Sequence, residues 1–113
     1  MQRAVFTMKL KPGCAAEYRK RHREIWPELL EALRNAGMRS YGIYLEELTG
    51  TLFAVQELAD NHTMAELPQQ EIMQRWWAHM ADLIDTNADN SPLCRPLEPV
   101  FHMGHEPPPQ RAE

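Results

Sequence analysis

The sequence predicts a single α+β domain of element order βαββαβ, the ferredoxin-like split βαβ arrangement, and three observations carry that prediction. Short runs at 3–10, 38–46 and 51–58 alternate side chains with the period of a strand. Two longer stretches, 14–35 and 69–84, repeat apolar residues at helical spacing. The chain of 113 residues is long enough for one hydrophobic core and too short for a second domain. Right-handed crossovers then give a four-stranded antiparallel sheet with both helices on one face.

In the first run Phe6, Met8 and Leu10 share one side and Val5, Thr7 and Lys9 the other, and Lys11-Pro12-Gly13 ends it. The stretch 14–35 is expected to form one long helix, bent at Pro27, which removes a ladder hydrogen bond. Gly37 suits the residue just past its end. In the second strand Tyr41, Ile43 and Leu45 lie opposite Ser40, Gly42 and Tyr44, and the turn Glu47-Leu48-Thr49-Gly50 leads into the third strand as a hairpin. Asp60-Asn61-His62-Thr63 offers capping groups for a helical stretch that Pro68 interrupts. The second long helix follows, with Ile72, Met73, Trp76, Trp77, Met80, Leu83 and Ile84 covering a face of roughly 140°. A polar loop, 85–92, precedes an expected final strand at 97–103. The domain is thus 1–104, and the proline-rich tail 105–113 is expected to be disordered.

Composition excludes several functions. A formal charge of −4 argues against a nucleic-acid partner, because phosphate binding relies on a net basic surface. No apolar run approaches the ~20 residues that cross a bilayer, so no membrane partner is expected. The N-terminal segment lacks the basic flank, apolar stretch and small-residue cleavage site of a secretory leader, which makes the cytosol the expected location. Cys14 and Cys94 then read as free thiols, without the paired spacing of a zinc or redox motif. His62, His79, His102 and His105 are scattered, so no metal site is expected. Glycine-rich phosphate loops and nucleophile elbows are also missing, and no cofactor is implied.

The informative stretch is the first helix. From Tyr18, the spacings i+4, i+7, i+11 and i+15 give His22, Ile25, Leu29 and Leu33, which share one face at ~100° per residue. A packing stripe is normally aliphatic, since a buried polar group without a partner costs roughly 1–3 kcal/mol. Two titratable side chains at adjacent turns therefore suggest a lined pocket. A lone histidine on a helix is more often structural, but His22 has company. Tyr18 is one turn away, Tyr41 has the parity of Ile43, and Trp76 and Trp77 enter from the facing helix. Adjacent tryptophans lie ~100° apart on a helix and so flank a concave space or wrap a ridge. The group describes an aromatic-walled pocket with a few polar tips, suited to a sugar or similar small ligand. The uncovered sheet face keeps an apolar alternation, which predicts a homodimer through the sheets.

Four stretches carry a resemblance: Tyr18-Arg19-Lys20-Arg21-His22-Arg23-Glu24-Ile25-Trp26-Pro27-Glu28-Leu29, Tyr41-Gly42-Ile43-Tyr44-Leu45, Gln74-Arg75-Trp76-Trp77-Ala78-His79-Met80 and Asn87-Ala88-Asp89-Asn90-Ser91-Pro92. In order and separation they resemble the L-rhamnose mutarotase family, from the first strand to about Met103. The resemblance implies a dimeric α/β barrel, an isomerase that interconverts the α and β anomers of L-rhamnose without metal or cofactor. It also implies His22 as proton donor and Tyr18, Tyr41, Trp76 and Trp77 as sugar-binding residues. The chain departs from the family's pattern in its tail after Met103 and at Ala88, where a proline is common. Mutarotation needs only an acid and a base to open the hemiacetal and close it on the other face, and such help is typically worth 10²–10⁴-fold. A neutral sugar also suits a pocket in which no basic cluster is expected. The alternative on the same barrel is a cofactor-free monooxygenase or another small-ligand-binding protein, since the same aromatic walls fit a flat ring.

Overall fold

The structure, a computed structural model, describes residues 1–104. The elements are β1 (Gln2–Lys9), α1 (Ala15–Arg23), α2 (Pro27–Asn35), β2 (Met38–Glu46), β3 (Thr51–Leu58), a 3-10 turn (Met64–Gln69), α3 (Glu71–Met80) and β4 (Arg95–Pro96). The strands form one antiparallel sheet of order β2-β3-β1-β4. This is the predicted ferredoxin-like α+β arrangement. Helices and sheet enclose a core of Met8, Leu10, Leu29, Leu52, Ala54, Trp76 and Met80, among others.

Three boundaries differ from the sequence-based expectation. The stretch 14–35 is two helices, not one bent helix. A proline ring disfavours helical backbone in the residue before it, and Trp26 is accordingly extended at φ −68°, ψ 130°. Pro27 then opens α2 at its first position, where a missing N–H costs nothing. The second long helix is shorter than 69–84. The 3-10 turn holds Pro68 and Gln69, α3 starts at Glu71, and it ends at Met80, with Leu83 and Ile84 buried in the turn beyond. Finally, β4 comprises Arg95 and Pro96, paired with Phe6 and Thr7, and not 97–103. Beyond it the Leu97 amide donates to the Val5 carbonyl at 2.8 Å, while Val100, Phe101 and Met103 are exposed. The disorder expected of 105–113 lies outside the described residues.

Parity along the strands decides which residues reach the helices. Across β2 and β3 the inward pairs are Tyr41 with Gln56, Ile43 with Ala54 and Leu45 with Leu52. Met38, also buried, pairs with Leu58, so β2 uses three steps where β3 uses two, and the register breaks between Met38 and Ser40. This bulge at Arg39 switches parity, which lets both Met38 and Tyr41 face inward. Gly37, just before it, has φ +104°, and a Cβ there would stand 2.8 Å from the His62 Cα. Only glycine fits that turn without moving backbone.

Candidate active site

Between the helices and the inner sheet face lies a cavity of about 710 Å³, in the size range of small-molecule sites. Tyr18, His22, Tyr41, Trp76 and Trp77 all line it. So do Ile25, Leu29 and Leu33, and the stripe read from the sequence survives the helix break because the chain resumes its course after Trp26.

His22 sits in the last turn of α1, half-buried, with its Nδ1 2.9 Å from the Tyr18 carbonyl oxygen. That carbonyl can only accept, so Nδ1 carries the hydrogen and Nε2 is the nitrogen left for chemistry. Burial lowers the His22 pKa from its ordinary 6.5, against a smaller upward pull from the Tyr18 carbonyl. The imidazole is therefore mostly neutral at pH 7. Its ring lies 4.4 Å from that of Tyr18 and 5.6 Å, edge-on, from that of Trp76.

The phenols are held in their protonated form. Tyr18 is buried, and this burial raises its pKa well above the ordinary 10, with added contributions from the neighbouring Tyr41 and Cys94. Burial of the Tyr41 hydroxyl pushes it up to about 12, opposed by the Gln56 amide. The Tyr41 residue as a whole is 40% exposed, because one side of its ring forms the open wall while the hydroxyl points inward. Trp76 is buried and Trp77 half-buried, so the two tryptophans do flank a concave space.

Sequence reasoning missed several parts. Trp26 falls off the stripe of a continuous helix, but the break turns it onto Trp76 at 5.1 Å, edge to face, and onto His79 at 5.4 Å. Asn90 and Pro92 reach the cavity from a loop locked by Asn87 and Asp89, the latter accepting from the Ser91 amide at 3.0 Å. Their signal was present in the polar motif, whose position gave no hint of which element it faced. Sequence reasoning expected a pocket without a basic cluster, and basic side chains do reach the cavity. Arg19, Arg34 and Arg39 line the cavity, and no carboxylate does. Among the described residues, no group of three or more His, Cys, Asp or Glu is arranged to hold a metal, and no helix is long and apolar enough to cross a membrane.

Fold and cavity place the chain among ferredoxin-like proteins with a small-molecule-sized cavity between helices and sheet. The particular family follows from comparison with known proteins. The family model for L-rhamnose mutarotase matches residues 3–103. An L-rhamnose mutarotase of Brucella anthropi is 57% identical over 102 residues, covering 90% of this chain and 96% of its own. One from a Jannaschia species is 55% identical over 103 residues, covering 91% and 99%. The crystal structure of L-rhamnose mutarotase from Formosa agariphila superposes with a TM-score of 0.86 at 41% identity, covering 92% of this chain and all of that one. The chain belongs to the L-rhamnose mutarotase family.

Proposed function

We propose that this protein is an isomerase that interconverts the α and β anomers of L-rhamnose, and that His22 carries the proton exchange. The observation that supports this most is the imidazole with Nδ1 engaged and Nε2 free, against Tyr18 and the Trp76 wall in a cavity that also holds Tyr41. Neutral Nε2 accepts the anomeric hydroxyl proton as the hemiacetal opens. The resulting imidazolium, acidic because burial disfavours its charge, is the donor that returns the proton to the aldehyde oxygen when the ring closes on the other face. The ring oxygen needs a proton in the opening step and loses it in closure. Tyr18 and Tyr41 are the phenols in the same cavity that serve this role or order a water that does. Trp76 and Trp77 stack on the apolar C–H face and 6-methyl group of the deoxysugar.

The working form is a homodimer built through the outer sheet face, where Val5 pairs with Val55 and Tyr44 with Phe53. This row is apolar, and no element of the described chain covers it. The absence of a membrane-crossing helix among the described residues suits an enzyme of the cytosol. NMR magnetisation exchange between the anomeric protons of L-rhamnose tests the activity directly. The protein should accelerate exchange catalytically, and undiminished in the presence of a strong chelator, since the proposed acid–base chemistry of His22 and the tyrosines uses no metal. An exchange rate equal to that of buffer alone would overturn the reading.

A further inference from the structure

Arg21 is adjacent to His22 in sequence but points away from the cavity, and it is the most heavily bonded side chain of α1. Its Nε donates to Glu17 Oε2 at 2.9 Å, Nη1 to Asp82 Oδ1 at 2.8 Å and to the His79 carbonyl at 2.5 Å, and Nη2 to Asp82 Oδ2 at 3.2 Å. Its side chain is 18% exposed despite its charge. The His79 carbonyl belongs to the last turn of α3 and has no backbone partner there, so a cation is the favoured cap. The planar fork of arginine suits a carboxylate such as Asp82, which it meets through two nitrogens.

This bonding has a purpose that the helix break supplies. The non-helical residues 24–26 interrupt the helix between α1 and α2, and no backbone hydrogen bond among the described residues joins α1 to α3. The orientation of α1 then depends on side chains. On one side are the ring contacts of Tyr18, His22 and Trp76, and on the other the Arg21 fork. The fork grips the same residue, His79, whose ring backs Trp76 at 5.6 Å and Trp26 at 5.4 Å. One guanidinium thus fixes the helix that carries the imidazole against the helix that carries the tryptophan wall. We infer that Arg21 and Asp82 form a positioning clamp that sets His22 against Trp76 and keeps it enclosed. The inference rests on the proposed role of His22.

The charged and titratable groups that share the cavity with His22 are Tyr18 and Arg19 from α1, Arg34 from α2, and Arg39, Tyr41 and Tyr44 from β2. None is changed by altering the clamp. Two variants test it: Arg21→Lys keeps the charge and loses the fork, and Asp82→Asn keeps the shape at a carboxylate that is 65% exposed. Each is measured for anomer exchange of L-rhamnose, thermal melting and the titration of the His22 imidazole by NMR, assigned by its disappearance in His22→Asn. The expected result is a kcat lowered by about tenfold, a KM changed less than kcat, and a His22 titration moved up toward 6.5 as enclosure is lost. A lower melting temperature with kcat and the titration both unmoved would make Arg21 merely structural and overturn the clamp. Rate loss with an unmoved titration would also overturn it. If His22→Asn itself exchanges normally, the role of His22 falls, while the NMR titration still judges the clamp.

Discussion

The two faces of the sheet are made by alternate residues of the same strands, and they have opposite characters. On the inner face Leu52 and Ala54 are almost wholly buried, at 1% and 0% exposure, and Tyr41 lines the cavity beside the buried Gln56. On the outer face Phe53 is 37% and Tyr44 66% exposed. Nothing in composition separates the two sets; parity does. The bulge at Arg39 sets that parity for β2, so one inserted residue turns Tyr41 toward buried Gln56 and leaves Tyr44, which also lines the cavity, 66% exposed. On the proposed reading, chemistry and assembly fall on opposite sides of a layer one residue thick, and substitutions on each side should fail in different ways.

The largest effect is expected inside. His22→Asn keeps a hydrogen-bonding group of similar reach that can still donate to the Tyr18 carbonyl, but it exchanges no proton near neutral pH. Catalysed anomer exchange should fall by about two orders of magnitude, the usual weight of a general acid or base. Sugar binding and the sedimentation of the protein should be unchanged. A variant exchanging near the wild-type rate would remove His22 from the mechanism and leave Tyr18 or Tyr41 as the acid.

The next effect is expected outside. Val55 sits mid-face, paired with Val5 on one side and Gly42 on the other. Val55→Glu would place two carboxylates against each other in an interface built on this face. Sedimentation should then report a monomer that keeps its fold by circular dichroism and most of its exchange activity. A Val55→Glu protein that still sediments as a dimer would move the interface elsewhere, and the contrast between the faces would lose its meaning.

How much of this was legible in sequence depends on the range of the physics involved. Strand parity is local, so the faces of β1, β2 and β3 followed from alternation, and the Tyr18 to Leu33 stripe followed from helical spacing. Pro27 was read as a bend although its effect on Trp26 is equally local. The apolar periodicity that runs on through Leu33 concealed the break. Final-strand pairing is not local. The run at 97–103 has strand-forming residues, yet the sheet edge accepts Arg95 and Pro96, and a proline suits an edge that needs no donor there. The Arg21 fork was invisible for the same reason. Its partners are 58 and 61 residues away, and a basic run on a helix looks like a solvated face until α3 is set beside it.

The smallest effect expected is on stability, and it sharpens the inner side of the comparison without kinetics. Burial lowers the His22 pKa below 6.5, so as pH falls the unfolded chain takes up a proton before the folded one does. The contribution of neutral His22 is fully present above 6.5 and is lost as pH falls from there, levelling once the folded imidazole is also protonated. Glu17, Asp82 and Asp89 have their pKa values lowered from 4.5, 3.8 and 3.8, chiefly by Arg21 for the first two and Ser91 for the third. Their contributions are present above those values and are lost only below them, so they do not overlap the window from about pH 6.5 to 5. The remaining histidines are common to wild type and His22→Asn and cancel in the difference. Wild type should therefore lose on the order of a few degrees more in melting temperature than His22→Asn between pH 7 and 5. Parallel melting curves across that window would mean that His22 titrates as freely in the folded protein as in the unfolded chain, and that the cavity does not enclose it.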